Sequence, residues 1–318
     1  MSSKPLYAPP PAPVSKLARY RTLSPLAGVR VSPLCFGGLG IGDKWQYQDG
    51  ASEEFIGEWA EKRGVWDQLV IATKYTGDYE RGQENITHKV NYTDNHATSL
   101  HISVHESLRK LRTSYIDILY GISDAPAWVV SKANQYVRDL GKTPFVVYQG
   151  QWSVLVRSFE RDIISMARSE GLALAPWGIL GGGRIRTDAE EARRRESGEK
   201  GLMVFHSNWE RTEEGRKMCL VLEEVAQEVA AIAYHLLRMP YVFPITGCRK
   251  VEHLRETLKA LDITLTPERT QKIEGATTFE IGFPFKTFGT GATPSFGVTT
   301  TAHTDQVPLP QAIRPSKY

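Results

Sequence analysis

Two side chains in the first quarter of the chain have types and settings that suit proton transfer. Lys74 directly follows the apolar run Leu69–Thr73, so it stands at the C-terminal end of an expected strand. An ammonium there is costly to bury without a task. Tyr47 lies in Tyr47-Gln48-Asp49-Gly50-Ala51-Ser52-Glu53, a turn just ahead of an expected helix. Each alone reads first as structural. Together they fit one chemistry: an ammonium beside a phenol favours the phenolate and draws its pKa from ~10 toward the working range of a general acid.

Two glycine-rich stretches invite nucleotide readings. Gly37-Gly38-Leu39-Gly40-Ile41-Gly42 has the glycines of a dinucleotide fingerprint. No helix follows at once, however, and no strand ending in an acid lies ~20 residues on. A strand end closely approached by another backbone is favoured. Gly178 to Gly183 imitates a P-loop, but Arg184-Ile185 replaces the required Lys-Ser/Thr, and nucleotide hydrolysis is rejected. Pro176 to Arg184 then reads as a loop at a strand's C-terminal end, where barrel active sites lie. Backbone N–H groups exposed by its glycines suit a phosphate, and Arg184 or Arg186 adds charge. His101 and His105 stand at i and i+4 with no third ligand, so they read as exposed helical histidines and no metal site is assigned. Cys35 and Cys248 read as small buried hydrophobes before reactive thiols.

The elements that must position these residues alternate along the chain. Short apolar runs lie at Leu34–Phe36, Leu69–Thr73, Ile116–Tyr120, Phe145–Tyr148, Leu172–Pro176 and Tyr241–Ile245, each bounded by turn-type or charged residues as buried parallel strands are. Helical spacing separates them: Leu100, Val104, Leu108 and Leu111; Val130, Ala133, Val137 and Leu140, stopped by Gly141; Phe159, Ile163 and Met166, ended near Gly171. Ser52 with Glu53 and Glu54 starts one more helix, because acids suit its positive end. Ala189–Glu199 is almost all charge and reads as the solvated face of an inserted helix or loop. Strand–helix alternation predicts an α/β fold with a parallel sheet, and both a closed barrel and an open doubly wound sheet fit it. Only six good strands are present, whereas a full (β/α)8 barrel has eight.

Composition bounds the rest. The chain has 318 residues, 41% hydrophobic and 24% charged, which excludes wholesale disorder. There is no run of ~18 apolar residues for a membrane span and no secretory signal, and a net charge of +3 spread along the chain argues against nucleic acid. Three cysteines without a signal predict reduced thiols in a cytoplasmic protein, and the sequons at Asn85 and Asn91 are then chance matches. Residues 1–18, with Pro9, Pro10, Pro11 and Pro13, and residues 284–318, rich in Pro, Thr and Gly, read as tails around a body at 19–283.

These pieces resemble the aldo-keto reductase superfamily. Within it the match is to the fungal branch of aryl-alcohol dehydrogenases and norsolorinic-acid-reductase-like enzymes of secondary-metabolite clusters, which make mycotoxins and meroterpenoids. The resemblance rests on residues 34–37, 42–45, 47–62, 68–75, 99–128, 143–152, 158–186 and 241–253, most of the body. It implies a (β/α)8 TIM barrel that uses NADP(H). It makes Tyr47 the proton donor and Lys74 the lysine that lowers its pKa. Ser123 and Asp124 match the pair at the nicotinamide carboxamide, and Gln149 the glutamine on the next strand that joins them. Trp177, Gly178, Leu180, Gly181, Gly182, Gly183, Arg184 and Arg186 match the loop over the pyrophosphate. Gly247, Arg249, Lys250 and His253 match the segment at the adenosine 2′-phosphate, where Arg249 and Lys250 favour NADP(H) over NAD(H).

The departures are as informative. Relatives carry a helix and a strand between the Gly-Asp-Lys-Trp stretch and the tyrosine, and that strand ends in an Asp-Thr-Ala motif whose aspartate supports the lysine. Here Gln46 runs straight into Tyr47. Relatives carry a catalytic histidine just after the strand matching Ile116–Tyr120, then a helix and most of a strand. Here Tyr120 meets Gly121. A smaller gap lies near Val229–Ala231. Each larger gap removes one βα unit of ~30 residues, so the expected fold is a barrel short of about two units. The chain is then either a natural shortened barrel or the product of a gene model that lost coding segments, and junctions inside strands favour the second.

The expected function is an NADPH-dependent carbonyl reductase or aryl-alcohol dehydrogenase of fungal secondary metabolism, with weak or no activity in this exact chain. It would act on a small aromatic, polyketide or terpenoid-like carbonyl or alcohol. The alternatives are a non-catalytic NADP-binding or regulatory protein, and a misfolded product. Trp45, Trp128, Trp152 and the chain ends are the candidate substrate contacts, with burial in the core an equal reading for the aromatics.

Overall fold

The computed structural model describes residues 8–41, 50–77, 84–199, 208–225, 227–248, 250–290, 295–305 and 307–313. An antiparallel hairpin comes first, β1 (Arg21–Ser24) and β2 (Ala27–Val31). Six short parallel strands follow: β3 (Cys35–Phe36), β4 (Ala72–Lys74), β5 (Ile118–Tyr120), β6 (Val147–Gln151), β7 (Ala173–Trp177) and β8 (Ile245–Thr246). The helices between and after them are α1 (Ala51–Arg63), α2 (Ala97–Leu111), α3 (Ala127–Asp139), α4 (Ile163–Glu170), α5 (Asp188–Ser197), α6 (Glu213–Val225), α7 (Gln227–Leu236), α8 (Val251–Leu258) and α9 (Pro267–Gly275). Two single turns, α10 (Phe285–Phe288) and α11 (Phe296–Thr299), lie in the stretch expected to be a featureless tail.

Ladders join β4 to β5, β6 to β7 and β3 to β8, all parallel. Single parallel bridges, Ser123 to Gln149 and Leu174 to Val242, link these pairs. The result is an arc in the order β4-β5-β6-β7-β8-β3, with no pairing between β3 and β4 among the described residues. The period-two alternation of a strand then sorts the side chains. Tyr148 and Leu174 point outward into a large core with Val130 of α3, Ile163 and Met166 of α4, and Met218 and Leu222 of α6. Tyr120, Val147, Ala173 and Ala175 point inward and meet Leu23 and Phe243. The hairpin thus plugs one end of the arc with Leu23, supported by Val29 and Val31. The other end stays open.

The strands run further toward their C-termini than the apolar runs predicted. Lys74 ends β4 rather than following it, β6 reaches Gln151, β7 reaches Trp177, and Tyr241–Ile245 contributes a strand only at Ile245–Thr246. Polar residues at these ends still pair because they line the open mouth. On the outside, α1 packs on α2 and α3 on α4. Gly57 allows the first contact, since a Cβ there would stand 2.8 Å from the Leu111 carbonyl oxygen. Among the described residues no helix is long and apolar enough to cross a membrane.

Candidate active site

Lys74 and Tyr120 are register partners at the ends of β4 and β5, so both side chains face the inside of the arc. Lys74 opens onto a cleft of about 2030 Å³ that runs from Leu23 and Val31 of the hairpin, past α1 and α2, to the C-terminal ends of the strands. Lys74 is exposed to the cleft, yet the surrounding protein strips water from its ammonium and so lowers its pKa, while Asp124 and Cys35 oppose the shift. Cys35, on the neighbouring edge of the arc, has its thiol pushed up by burial and pulled down by Lys74. Tyr120 is also pushed up by burial, with a hydrogen bond from Gln149 against it. Tyr47, the expected proton donor, lies outside the described residues, as do Trp45 and Arg249.

Ser123 and Asp124 follow β5 across the mouth. Asp124 holds a left-handed φ of 53°. Its carboxylate accepts from Ser123 Oγ at 2.9 Å, from the Gln151 N–H at 2.8 Å and from Trp177 Nε1 at 3.0 Å. Gln149 is 2% exposed on the same wall, and its Oε1 has no hydrogen-bond partner. A buried acceptor without a donor costs free energy until a ligand N–H arrives.

The glycine-rich loop continues from β7. Gly178, Gly181, Gly182 and Gly183 have φ of 71°, 60°, 68° and 85°, conformations that side-chain-bearing residues rarely adopt. Trp177, Gly178, Leu180, Gly181, Gly182, Gly183 and Arg184 all line the cleft. Arg186 also borders it, yet its guanidinium turns inward to a buried ion pair with Glu191 rather than outward to solvent. On the far side Gly247 and His253 line the cleft, while Lys250 occupies the N-cap position of α8 without lining it.

Other expectations sort differently. Trp152 is fully buried, stacked on Phe159 at 5.2 Å and donating to Glu160 at 3.1 Å, so it belongs to the core. Trp128 is 69% exposed on α3 and does not line the cleft. His101 and His105 are exposed on α2, and no metal-binding cluster occurs among the described residues. The charged run Ala189–Glu199 is helical as far as Ser197, but its Glu191 is buried at the centre of an arginine cluster instead of solvated. The sequence reading missed Glu191 and the fully buried His235 of α7. A charge run gives no hint of which member is buried when its partners Arg211 and Arg216 lie 20 and 25 residues away.

The chain matches the Aldo/keto reductase family profile over residues 44–120 and 119–277. It is 45% identical over 383 aligned positions to "Aryl-alcohol dehydrogenase [NADP(+)]" of Phanerodontia chrysosporium, covering 98% of this chain and 100% of that one. It is 37% identical to "Norsolorinic acid reductase stcV" of Emericella nidulans, covering 98% and 97%. Among solved structures, "aldo-keto reductase AKR11C1 from Bacillus halodurans (holo form)" superposes with a TM-score of 0.61 at 19% identity, over 83% of this chain and 98% of that one. That likeness shows the α/β-barrel fold.

Proposed function

Because the chain belongs to the aldo/keto reductase family, we propose that it is an NADP(H)-dependent oxidoreductase that interconverts a carbonyl and an alcohol in fungal secondary metabolism. The observation that carries the reading is the convergence of Lys74, Ser123–Asp124, Gln149 and the 177–184 loop on one cleft. The residues suit the cofactor: the partnerless Oε1 of Gln149 matches an amide N–H such as that of a carboxamide. Gly182 has no backbone partner among the described residues, and its N–H is free for a phosphate oxygen. Ser123, Asp124 and Gln149 would hold the nicotinamide end, residues 177–184 the pyrophosphate, and Gly247, Arg249, Lys250 and His253 the adenosine 2′-phosphate.

When bound, NADPH supplies a hydride to carbonyl carbon. Tyr47 holds the proton that the carbonyl oxygen takes up as it becomes an alcohol. The Lys74 ammonium stabilises the phenolate that remains and so keeps that proton transferable near neutral pH. Exclusion of water falls to the apolar cleft walls. The substrate class is an aromatic or polyketide-like aldehyde or ketone. Oxidation of NADPH with an aromatic aldehyde, followed by its absorbance, tests the reading. Tyr47→Phe abolishes turnover if the assignment is right; unchanged turnover in that variant overturns it.

We also read residues 19–283 as the barrel domain, lacking about two βα units. The alignment to the Phanerodontia relative spans 383 positions, 65 more than this chain has residues. The family match breaks at residues 119–120, where Tyr120 meets Gly121. The open edges of β3 and β4 face each other across the first expected gap. Trp128 and Tyr136 stand exposed along α3, as they would if a neighbouring helix were missing. These observations also favour a second reading, an NADP-binding protein without turnover, because the supporting aspartate and the histidine fall in the missing units. Tight NADPH binding with no oxidation across a broad carbonyl panel distinguishes it.

A further inference from the structure

Behind the glycine-rich loop lies a charged cluster that the reaction chemistry does not use. Glu191 sits in the first turns of α5, whose Thr187 cap accepts the Glu190 N–H at 3.1 Å. The side chains of Arg186, Glu191 and Arg211 are each 1% exposed. Glu191 Oε2 accepts from Arg186 Nε at 3.2 Å and Nη2 at 3.1 Å, and from Arg211 Nε at 2.8 Å. Glu191 Oε1 accepts from Arg216. Although burial works against ionisation, the guanidinium hydrogen bonds hold the carboxyl at about 2.

The cluster grips backbone as well as charge. Arg186 Nη1 donates to the Gly183 carbonyl at 2.8 Å and Nη2 to the Trp209 carbonyl at 2.6 Å, with the guanidinium 4.8 Å above the Trp209 ring. Arg211 Nη1 donates to the Arg186 carbonyl at 2.6 Å, and Cys219 Sγ lies 3.5 Å from the Arg184 carbonyl. Carbonyls of residues 183, 184 and 186 are therefore drawn to one buried side. In a planar trans peptide the C=O and the next N–H point opposite ways, so the anchored carbonyls of Gly183 and Arg186 turn the N–H groups of Arg184 and Thr187 in the other direction, while the Ile185 N–H donates to the Leu180 carbonyl at 3.4 Å within the loop.

The geometry points to Glu191 as a positioning residue for the pyrophosphate loop: by holding Arg186 and Arg211 it fixes the carbonyls of Gly183 and Arg186, and so presents the loop's N–H groups to a diphosphate. This inference rests on the NADP(H) reading above. Arg186 then serves the ligand through the loop and not by contact.

Equilibrium titrations of NADPH and of adenosine 2′-monophosphate, which lacks the pyrophosphate, test it in wild-type protein, Glu191→Gln and Arg186→Lys. Both variants are expected to bind NADPH about tenfold or more weakly and adenosine 2′-monophosphate as the wild type does. Arg186→Lys keeps the cluster's charge and carries the test if Glu191→Gln shows no cooperative unfolding transition. Equal NADPH affinity in a folded variant overturns the inference, as does a parallel loss for both ligands, which would mark a general structural role. A wild-type chain that binds neither ligand removes the cofactor reading itself, and the inference with it.

Discussion

Acidification from about pH 7.5 to about pH 4.5 should weaken the fold through His235. Its side chain is fully buried, with Nδ1 2.7 Å from the Ala231 carbonyl and Nε2 without a partner. The ring meets Trp152 edge-on at 4.7 Å and Tyr234 at 5.4 Å. Burial pushes the pKa from 6.5 down to about 4, with Arg238 adding to the shift and the Ala231 carbonyl and Glu160 opposing it. The folded value lies below the unfolded one, so the unfolded chain binds the proton first. Stability is then full above about pH 6.5 and falls as the pH drops toward 4. At about pH 4.5 the loss from this one group is about 2.5 kcal/mol. Urea unfolding of the wild type and His235→Leu at both pH values isolates it, because the carboxylates titrate in both proteins. The wild type should lose about 2.5 kcal/mol more than the variant. Equal losses would refute the argument that burial keeps this imidazole neutral.

Further outcomes follow from the cleft and the helix layer. Lys74→Met should lower kcat by about 100-fold or more, with NADPH affinity changed far less, in steady-state kinetics against direct titration. Gln149→Leu should weaken NADPH binding by about 5- to 10-fold in direct titration, since it removes the buried acceptor that a carboxamide N–H would meet. Gly57→Ala should cost about 1–3 kcal/mol in urea unfolding, because a Cβ collides with the backbone of Leu111 rather than with a movable side chain. NADPH at a hundredfold excess over Kd should add about 3 kcal/mol to the unfolding free energy and so raise the thermal midpoint, and the absence of any shift in differential scanning would count against cofactor binding.

The alternation of strands and helices was legible because buried parallel strands are apolar runs and α3 and α4 turn apolar residues into the core; α2 differs, burying Ser99, Ser103, Ser107 and Lys110 beside Leu111 while Leu100, Val104 and Leu108 stay half-buried. Strand ends were less so. Lys74, Gln149, Gln151 and Trp177 pair as strand but face the cleft, and hydropathy alone cannot include them. The β1–β2 hairpin was missed, although Ala27-Gly28-Val29-Arg30-Val31 alternates and Pro25-Leu26 marks its turn. In the site, the resemblance assigned residues that composition could not, and Lys74, Ser123, Asp124, Gln149 and the loop line one cleft. Arg186 was read as a cation for the phosphate, and its pairing with Glu191 escaped a linear reading because Arg211 and Arg216, 20 and 25 residues beyond Glu191, close the cluster.

One carboxylate at the mouth has a consequence for how a ligand is received. Asp124 takes hydrogen bonds from the residue before it, from the end of β6 and from the end of β7. Three successive strand tips are thereby stapled in mutual register before anything enters. Little ordering entropy is left for this rim to lose on association, so selectivity there should come from shape and donor–acceptor match rather than from closure around the guest.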